Sequence, residues 1–125
     1  MNWLLLAIGG ALGAVARFGL SEAIYGLLGR EFPYGTLAVN LIGSLLMGLL
    51  YVVISERALF GDEVRLLLMV GFLGALTTFS TFSLDTLLLL QQGALWRAGA
   101  NVLASVTLTI GALWLAVVAA RALLR

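Results

Sequence analysis

Four long apolar runs, separated only by short polar joints, constrain this chain more than any other feature. The first extends from about Trp3 to Leu28, the second from Tyr34 to Ile54, the third from Val64 to Leu90 and the fourth from Leu95 to Leu124. Each exceeds the ~20 residues that a helix needs to cross ~30 Å of hydrocarbon. The implied fold class is all-α and integral to the membrane, one four-helix transmembrane domain over residues 1–125 with spans at about 3–28, 34–54, 64–90 and 95–124. Runs such as Leu45-Leu46-Met47-Gly48-Leu49-Leu50 lack the alternation of lipid-facing and lumen-facing residues that barrel strands require. The joints Arg30-Glu31-Phe32-Pro33, Ser55 through Glu63, and Gln91-Gln92-Gly93 are too small to hold a further domain. Pro33, the only proline, falls where the second helix begins, a position at which its missing N–H costs little. The opening Met1-Asn2-Trp3 lacks the basic start of a signal peptide, so the first run is expected to persist as a mature span.

Composition then removes whole classes of chemistry. Only 10% of the residues are charged, and six acids with seven arginines cannot build the polar shell of a soluble domain. Without cysteine or histidine, the chain has no thiol chemistry, no disulfide, no Cys/His metal site and no histidine base. It also has no lysine, and a net charge of +1 provides no basic patch for nucleic acid. No nucleophile and base pair is evident, so an enzyme is not expected. What remains is hydroxyls, amides, aromatic rings, a few carboxylates and the backbone.

Arginine placement bears on how the chain inserts. With four spans, the second loop and both termini share one side and carry Arg57, Arg65, Arg121 and Arg125. The other side has Arg30 and Arg97, joined by Arg17 if that residue is counted there. Orientation follows the side richer in basic residues near the helix ends, and these tallies nearly match. Two readings stay open: a sparsely charged protein with one fixed orientation, or dual topology, in which opposite copies pair about an axis in the membrane plane.

Small and polar residues interrupt the apolar runs. Gly9 with Gly13, Gly43 with Gly48, and Gly71 with Gly74 give three helices small faces suited to close packing. Polar groups within hydrocarbon are costly unless paired, so they face the protein interior or a pore. Thr36 and Asn40 are spaced i, i+4 on one face of the second helix, and Asn101, Ser105 and Thr109 form a stripe on the fourth. Interhelical hydrogen bonding and solute permeation both account for such stripes.

The third run is the most informative, Gly71-Phe72-Leu73-Gly74-Ala75-Leu76-Thr77-Thr78-Phe79-Ser80-Thr81-Phe82-Ser83-Leu84-Asp85. Glycine, serine and threonine all weaken a helix, and Ser/Thr hydroxyls compete for backbone partners. A break between Gly74 and Thr78 is expected, of the sort membrane helices tolerate where freed backbone groups bind something. Phe79 and Phe82, spaced i, i+3, share one face. They are either packing residues or rings whose electropositive edges meet an anion.

Three segments together resemble a known family: Gly9-Gly10-Ala11-Leu12-Gly13-Ala14-Val15-Ala16-Arg17, Gly35-Thr36-Leu37-Ala38-Val39-Asn40-Leu41-Ile42-Gly43-Ser44, and Gly71 through Ser83. They look like the Fluc, or CrcB-type, fluoride channels, in the right order and over essentially the whole chain. The resemblance implies an antiparallel, dual-topology homodimer in a cell inner (plasma) membrane, with two fluoride pathways and a structural sodium ion, Na+, at the dimer centre between broken third helices. It implies a fluoride pathway of Asn40, Phe79, Phe82, Ser80, Thr36, Ser105 and Thr109, with Arg17 near an aqueous vestibule. Gly74 and Thr77 would offer their backbone carbonyls to sodium. Asp85 departs from the glutamate expected after the Thr-Phe-Ser segment, and the fourth helix matches by spacing more than by motif.

Fluoride is compact, strongly hydrated and a strong hydrogen-bond acceptor. Amide, hydroxyl and ring-edge donors can replace its water without the deep trap a buried lysine would create. The alternative is a small multidrug-resistance-type proton-coupled transporter, also four helices, which needs a carboxylate within its first helix. Glu22 is the one candidate there and lies late in the span, close to Arg17.

Overall fold

All four apolar runs are helical in the computed structural model, which describes residues 2–125. The elements are α1, Asn2–Leu28; α2, Tyr34–Glu56; α3, Asp62–Gln91; and α4, Leu95–Leu123. Each is long and apolar enough to cross a membrane, and no strand occurs among the described residues. The largest departures from the expected spans are at the charged joint between α2 and α3. There α2 ends in a wider π-helical stretch, Tyr51–Glu56, closed by the Arg57 N–H donating to the Val52 carbonyl at 2.8 Å. Helix α3 starts early because Asp62 and Glu63 suit its first turn, where a carboxylate meets the positive end of the helix dipole. It stops at a left-handed glycine: Gly93 has φ +79°, its N–H donates to Leu90, and the Ala94 N–H donates to Leu89. Those paired bonds satisfy the last carbonyls and turn the chain into α4.

The distribution of apolar side chains is that of a protein solvated by lipid. Among the described residues, only Leu73, Val39, Val52 and Asn101 are both large and fully buried, whereas Trp3 is 85% exposed and Leu27 81%. So much apolar surface in water would mark an aggregation-prone molecule, but hydrocarbon covers it without cost. Helix contact therefore depends on shape. A Cβ at Gly9 would strike the Leu67 carbonyl oxygen, and one at Gly13 the Phe72 carbonyl oxygen, so α1 lies backbone to backbone on the first half of α3. Gly48 brings α2 equally close to Leu113 of α4, and Gly43 makes room for the Thr77 side chain. Gly74 differs from the others: a Cβ there would find only the Met69 carbonyl, at 3.8 Å, so close packing does not account for this glycine.

Within α3, Gly74–Leu76 is helical, the backbone of Thr77 (φ −83°, ψ 154°) and Thr78 (φ −150°, ψ 116°) is extended, and helix resumes at Phe79. The threonines stabilise this path with their own hydroxyls. Thr77 Oγ1 donates to the Leu73 carbonyl at 3.0 Å, and Thr78 Oγ1 caps the following turn by accepting from the Thr81 N–H at 3.2 Å.

Candidate functional site

Asn40 of α2 faces this extended stretch and behaves as a substitute peptide group. Its Oδ1 accepts from the Thr78 N–H at 2.7 Å, while its Nδ2 donates to the Thr78 carbonyl at 3.1 Å. Thr78 is only 7% exposed, so its backbone groups would otherwise be desolvated without partners. The clasp has a consequence one turn back. In a continuous helix the Thr78 N–H would bond the Gly74 carbonyl, and the Thr81 N–H the Thr77 carbonyl. Both donors go elsewhere, to Asn40 Oδ1 and to Thr78 Oγ1. The carbonyls of Gly74 and Thr77 are thus freed of their helical donors.

Beside the clasp lies a half-open cleft of about 380 Å³ between α2, α3 and α4. Asn40, Ser44, Thr77, Thr78, Phe79, Phe82, Ser105 and Thr109 line it together with apolar side chains, and no charged residue among the described ones does. The two rings stand with centroids 5.4 Å apart and planes inclined at 52°. Phe79 is 78% exposed, far more than core packing within one subunit would leave it. The few amide and hydroxyl groups in this mainly apolar wall, with the edges of its aromatic rings where these are presented, can replace part of an anion's hydration shell without holding it as a fixed cation would.

A side-chain relay fixes the wall on the α4 side. Asn101 Nδ2 donates to Thr86 Oγ1 at 3.0 Å, Thr86 donates to the Phe82 carbonyl at 2.8 Å, and Ser105 Oγ donates to Asn101 Oδ1 at 3.4 Å. Thr109 donates within its own helix, to the Ser105 carbonyl at 2.5 Å. The α4 stripe is therefore built into interhelical and local bonding even where it borders the cleft. Asn101, 1% exposed, joins α4 to α3 and does not line the cleft.

The structure separates the other expected site residues from this group. Thr36 lies outside the cleft; its hydroxyl donates to Asp85 Oδ2 at 2.7 Å and sits 3.4 Å from the Tyr25 hydroxyl. It borders two further cavities, one of about 390 Å³ with Glu22, Arg30, Glu31 and Asp85, and one of about 260 Å³ with Arg17 and Thr81. Asp85, though shorter than the expected glutamate, thus reaches the Thr36 hydroxyl. Ser80 borders none of the three cavities and instead lies 3.5 Å from Thr78 Oγ1. Arg17 forms no ion pair among the described residues, whereas Arg30 binds Glu22 at 2.6 Å and lies over the Tyr25 ring, 4.7 Å from its centroid. Sequence reasoning did not place Ser44, Thr78 or Thr86 in the site. The i, i+4 spacing of Asn40 and Ser44 was the available signal for the first, and Thr78 and Thr86 gain their roles only from the extended stretch and from the approach of α4.

Four spanning helices around an uncharged, mainly apolar cleft with a few polar groups define a small multi-pass membrane protein. The chain belongs to the family described as "CrcB-like protein, Camphor Resistance (CrcB)", whose model matches residues 4–117. Among its relatives, a Methylococcus capsulatus protein named fluoride-specific ion channel FluC is 53% identical over 118 residues, covering 94% of this chain and 52% of that one. A Vibrio campbellii protein of the same name is 53% identical over 110 residues, covering 88% and 87% of the two chains. One from Magnetococcus marinus is 52% identical over 116 residues, covering 93% and 94%. The chain spans about half the length of the Methylococcus relative and most of the other two. These relatives carry the name of a channel, so the family falls in a non-enzyme class.

Proposed function

We propose that the chain forms a fluoride-selective channel, an antiparallel homodimer through which cytoplasmic fluoride leaves passively down its electrochemical gradient. The carrying observation is the uncharged cleft that collects Asn40, Phe79, Phe82, Ser105 and Thr109 beside the extended backbone of Thr77 and Thr78. Relatives named for fluoride support the choice of ion. A negative cell interior drives a monovalent anion outward by about 2.3 kcal/mol per 100 mV, so neither ATP nor a coupling proton is required. The fluoride reading also gives the exposed Phe79 a role beyond filling space.

A structural sodium ion fits the same region. Carbonyls released from helical bonding are the oxygens that broken membrane helices present to Na+. Gly74 and Thr77 have lost their helical donors to Asn40 and to the Thr78 cap, and Gly74 stands exposed at the subunit surface, where a second copy can meet it. A break of α3 at Thr77 and Thr78 would then supply the ion site at the dimer centre. The near balance of arginines across the two faces supports the antiparallel pairing that such a shared site needs. The proton-coupled transporter reading gains nothing from the structure, because Glu22 is half exposed and held by Arg30.

Liposomes containing the purified protein and loaded with potassium fluoride or potassium chloride test the proposal. Passive fluoride release with little chloride release is expected once the charge is compensated by an ionophore. Equal release of the two ions would overturn it.

A further inference from the structure

A dehydrated anion needs donors that are not already committed, and few groups in the cleft meet that condition. Each hydroxyl carries a single O–H. That of Thr77 is used on the Leu73 carbonyl, that of Ser105 on Asn101 Oδ1 and that of Thr109 on the Ser105 carbonyl. Thr78 Oγ1 accepts from the Thr81 N–H and lies 3.5 Å from Ser80 Oγ, a contact in which either hydroxyl can donate, and its oxygen is turned to that local cap. Ser44 differs from all of these: its hydroxyl has no hydrogen-bond partner of either kind among the described residues, although it lines the cleft. A serine or threonine on a membrane helix ordinarily satisfies its O–H on a carbonyl three or four residues back. Ser21, Ser83, Thr86, Thr107 and Thr109 all do so here. Ser44 does not bond back to Asn40, which lies one turn earlier on the same face and has a second amide hydrogen not used in its clasp on Thr78.

We propose that Ser44 is a direct ligand of the permeating anion, its free hydroxyl acting with the second N–H of Asn40 as the donor pair that replaces water in the cleft. The inference rests on the channel reading above and deepens it. The α4 hydroxyls Ser105 and Thr109 then shape the wall and present oxygen lone pairs, while the transferable donors stand on α2. Selectivity follows from the same pair, because neighbouring O–H and N–H donors favour a compact, strongly accepting anion over a large, weakly accepting one.

The test compares parent, Ser44→Ala, Ser44→Thr and, as a control outside the cleft, Thr107→Ala, each checked for folding by gel filtration and reconstituted for fluoride and chloride release. Loss of a hydrogen bond to a charged group predicts that Ser44→Ala releases fluoride roughly tenfold or more slowly. Ser44→Thr should keep most of the flux, and Thr107→Ala should match the parent. A folded Ser44→Ala within about twofold of the parent, less than one such bond is worth, overturns the assignment of Ser44 and leaves the channel reading standing. Equal slowing in Ala and Thr overturns it too, since space and not the hydroxyl would then matter. A parent that releases no fluoride overturns both.

Discussion

Replacing Asn40 by leucine isolates the clasp on α3. The substitution keeps most of the side-chain volume and removes both polar atoms, so Thr78 loses bonds of 2.7 Å at its N–H and 3.1 Å at its carbonyl. Leaving a buried donor or acceptor unpaired costs about 1 to 3 kcal/mol each, an upper limit of about 6 kcal/mol for the two. Polar bonds between membrane helices average nearer 0.6 kcal/mol, because the unfolded chain in the membrane also finds partners, and that sets a floor of about 1 kcal/mol. Thr78 borders two cavities, from which water can reach part of its freed backbone. The expected cost therefore lies between these limits, at roughly 2 to 4 kcal/mol. Denaturation of the purified protein in mixed detergent measures it, and fluoride release from liposomes measures the accompanying loss of flux. In Asn40→Asp the oxygen that receives the Thr78 N–H survives, but the second oxygen faces the Thr78 carbonyl and can bond it only when protonated. An Asn40→Leu protein that unfolds with the parent and conducts normally would refute the clasp.

Phe79→Ile or Phe82→Ile should leave a folded protein with sharply reduced fluoride release, because isoleucine keeps bulk without an electropositive edge; normal flux in both would reduce the rings to packing. Exchanging sodium for N-methylglucamine should weaken the dimer in gel filtration while leaving helix content unchanged in circular dichroism. A dimer indifferent to sodium would remove the ion from Gly74 and Thr77. Lysines added to the 57–61 joint should drive nearly all copies into one orientation and depress fluoride export, and co-expression with a second variant carrying lysines near Arg30 and Arg97 should restore it. Full export from a singly oriented population, read by C-terminal reporters, would exclude the antiparallel pair.

Helix number and approximate ends were legible because lipid imposes a length and a polarity on each span, and because Gly93 is a local signal that needs no tertiary knowledge. The close approaches of Gly9, Gly13, Gly43 and Gly48 were legible for a related reason: between apolar helices, little besides shape separates a contact face from a lipid face. The polar residues were harder. Sequence spacing puts Thr36 and Asn40 on one face of α2, yet the structure gives them different partners, Asp85 for one and the Thr78 backbone for the other. A helical face is a direction, while a hydrogen bond is a distance, and only the approach of α3 decides which of two residues one turn apart meets an extended peptide.

The same distinction governs the donors of the cleft. Counting hydroxyls along α4 suggests a track of free groups, but a threonine hydroxyl on a helix can reach its own backbone, and Thr109 does. The composition of a polar stripe therefore overstates what it can offer an ion. On the channel reading, what an ion can use is the remainder after each O–H and N–H has been assigned an internal acceptor, and on α2 that remainder is Ser44 and the second N–H of Asn40. The clasp ties this remainder to α3, since one Asn40 side chain both holds Thr78 extended and keeps a hydrogen for the cleft. A change that let α3 close into continuous helix would return the Thr78 N–H to the Gly74 carbonyl, withdraw a candidate sodium ligand and release Asn40 in a single step, so the ion site and the anion cleft are expected to fail together.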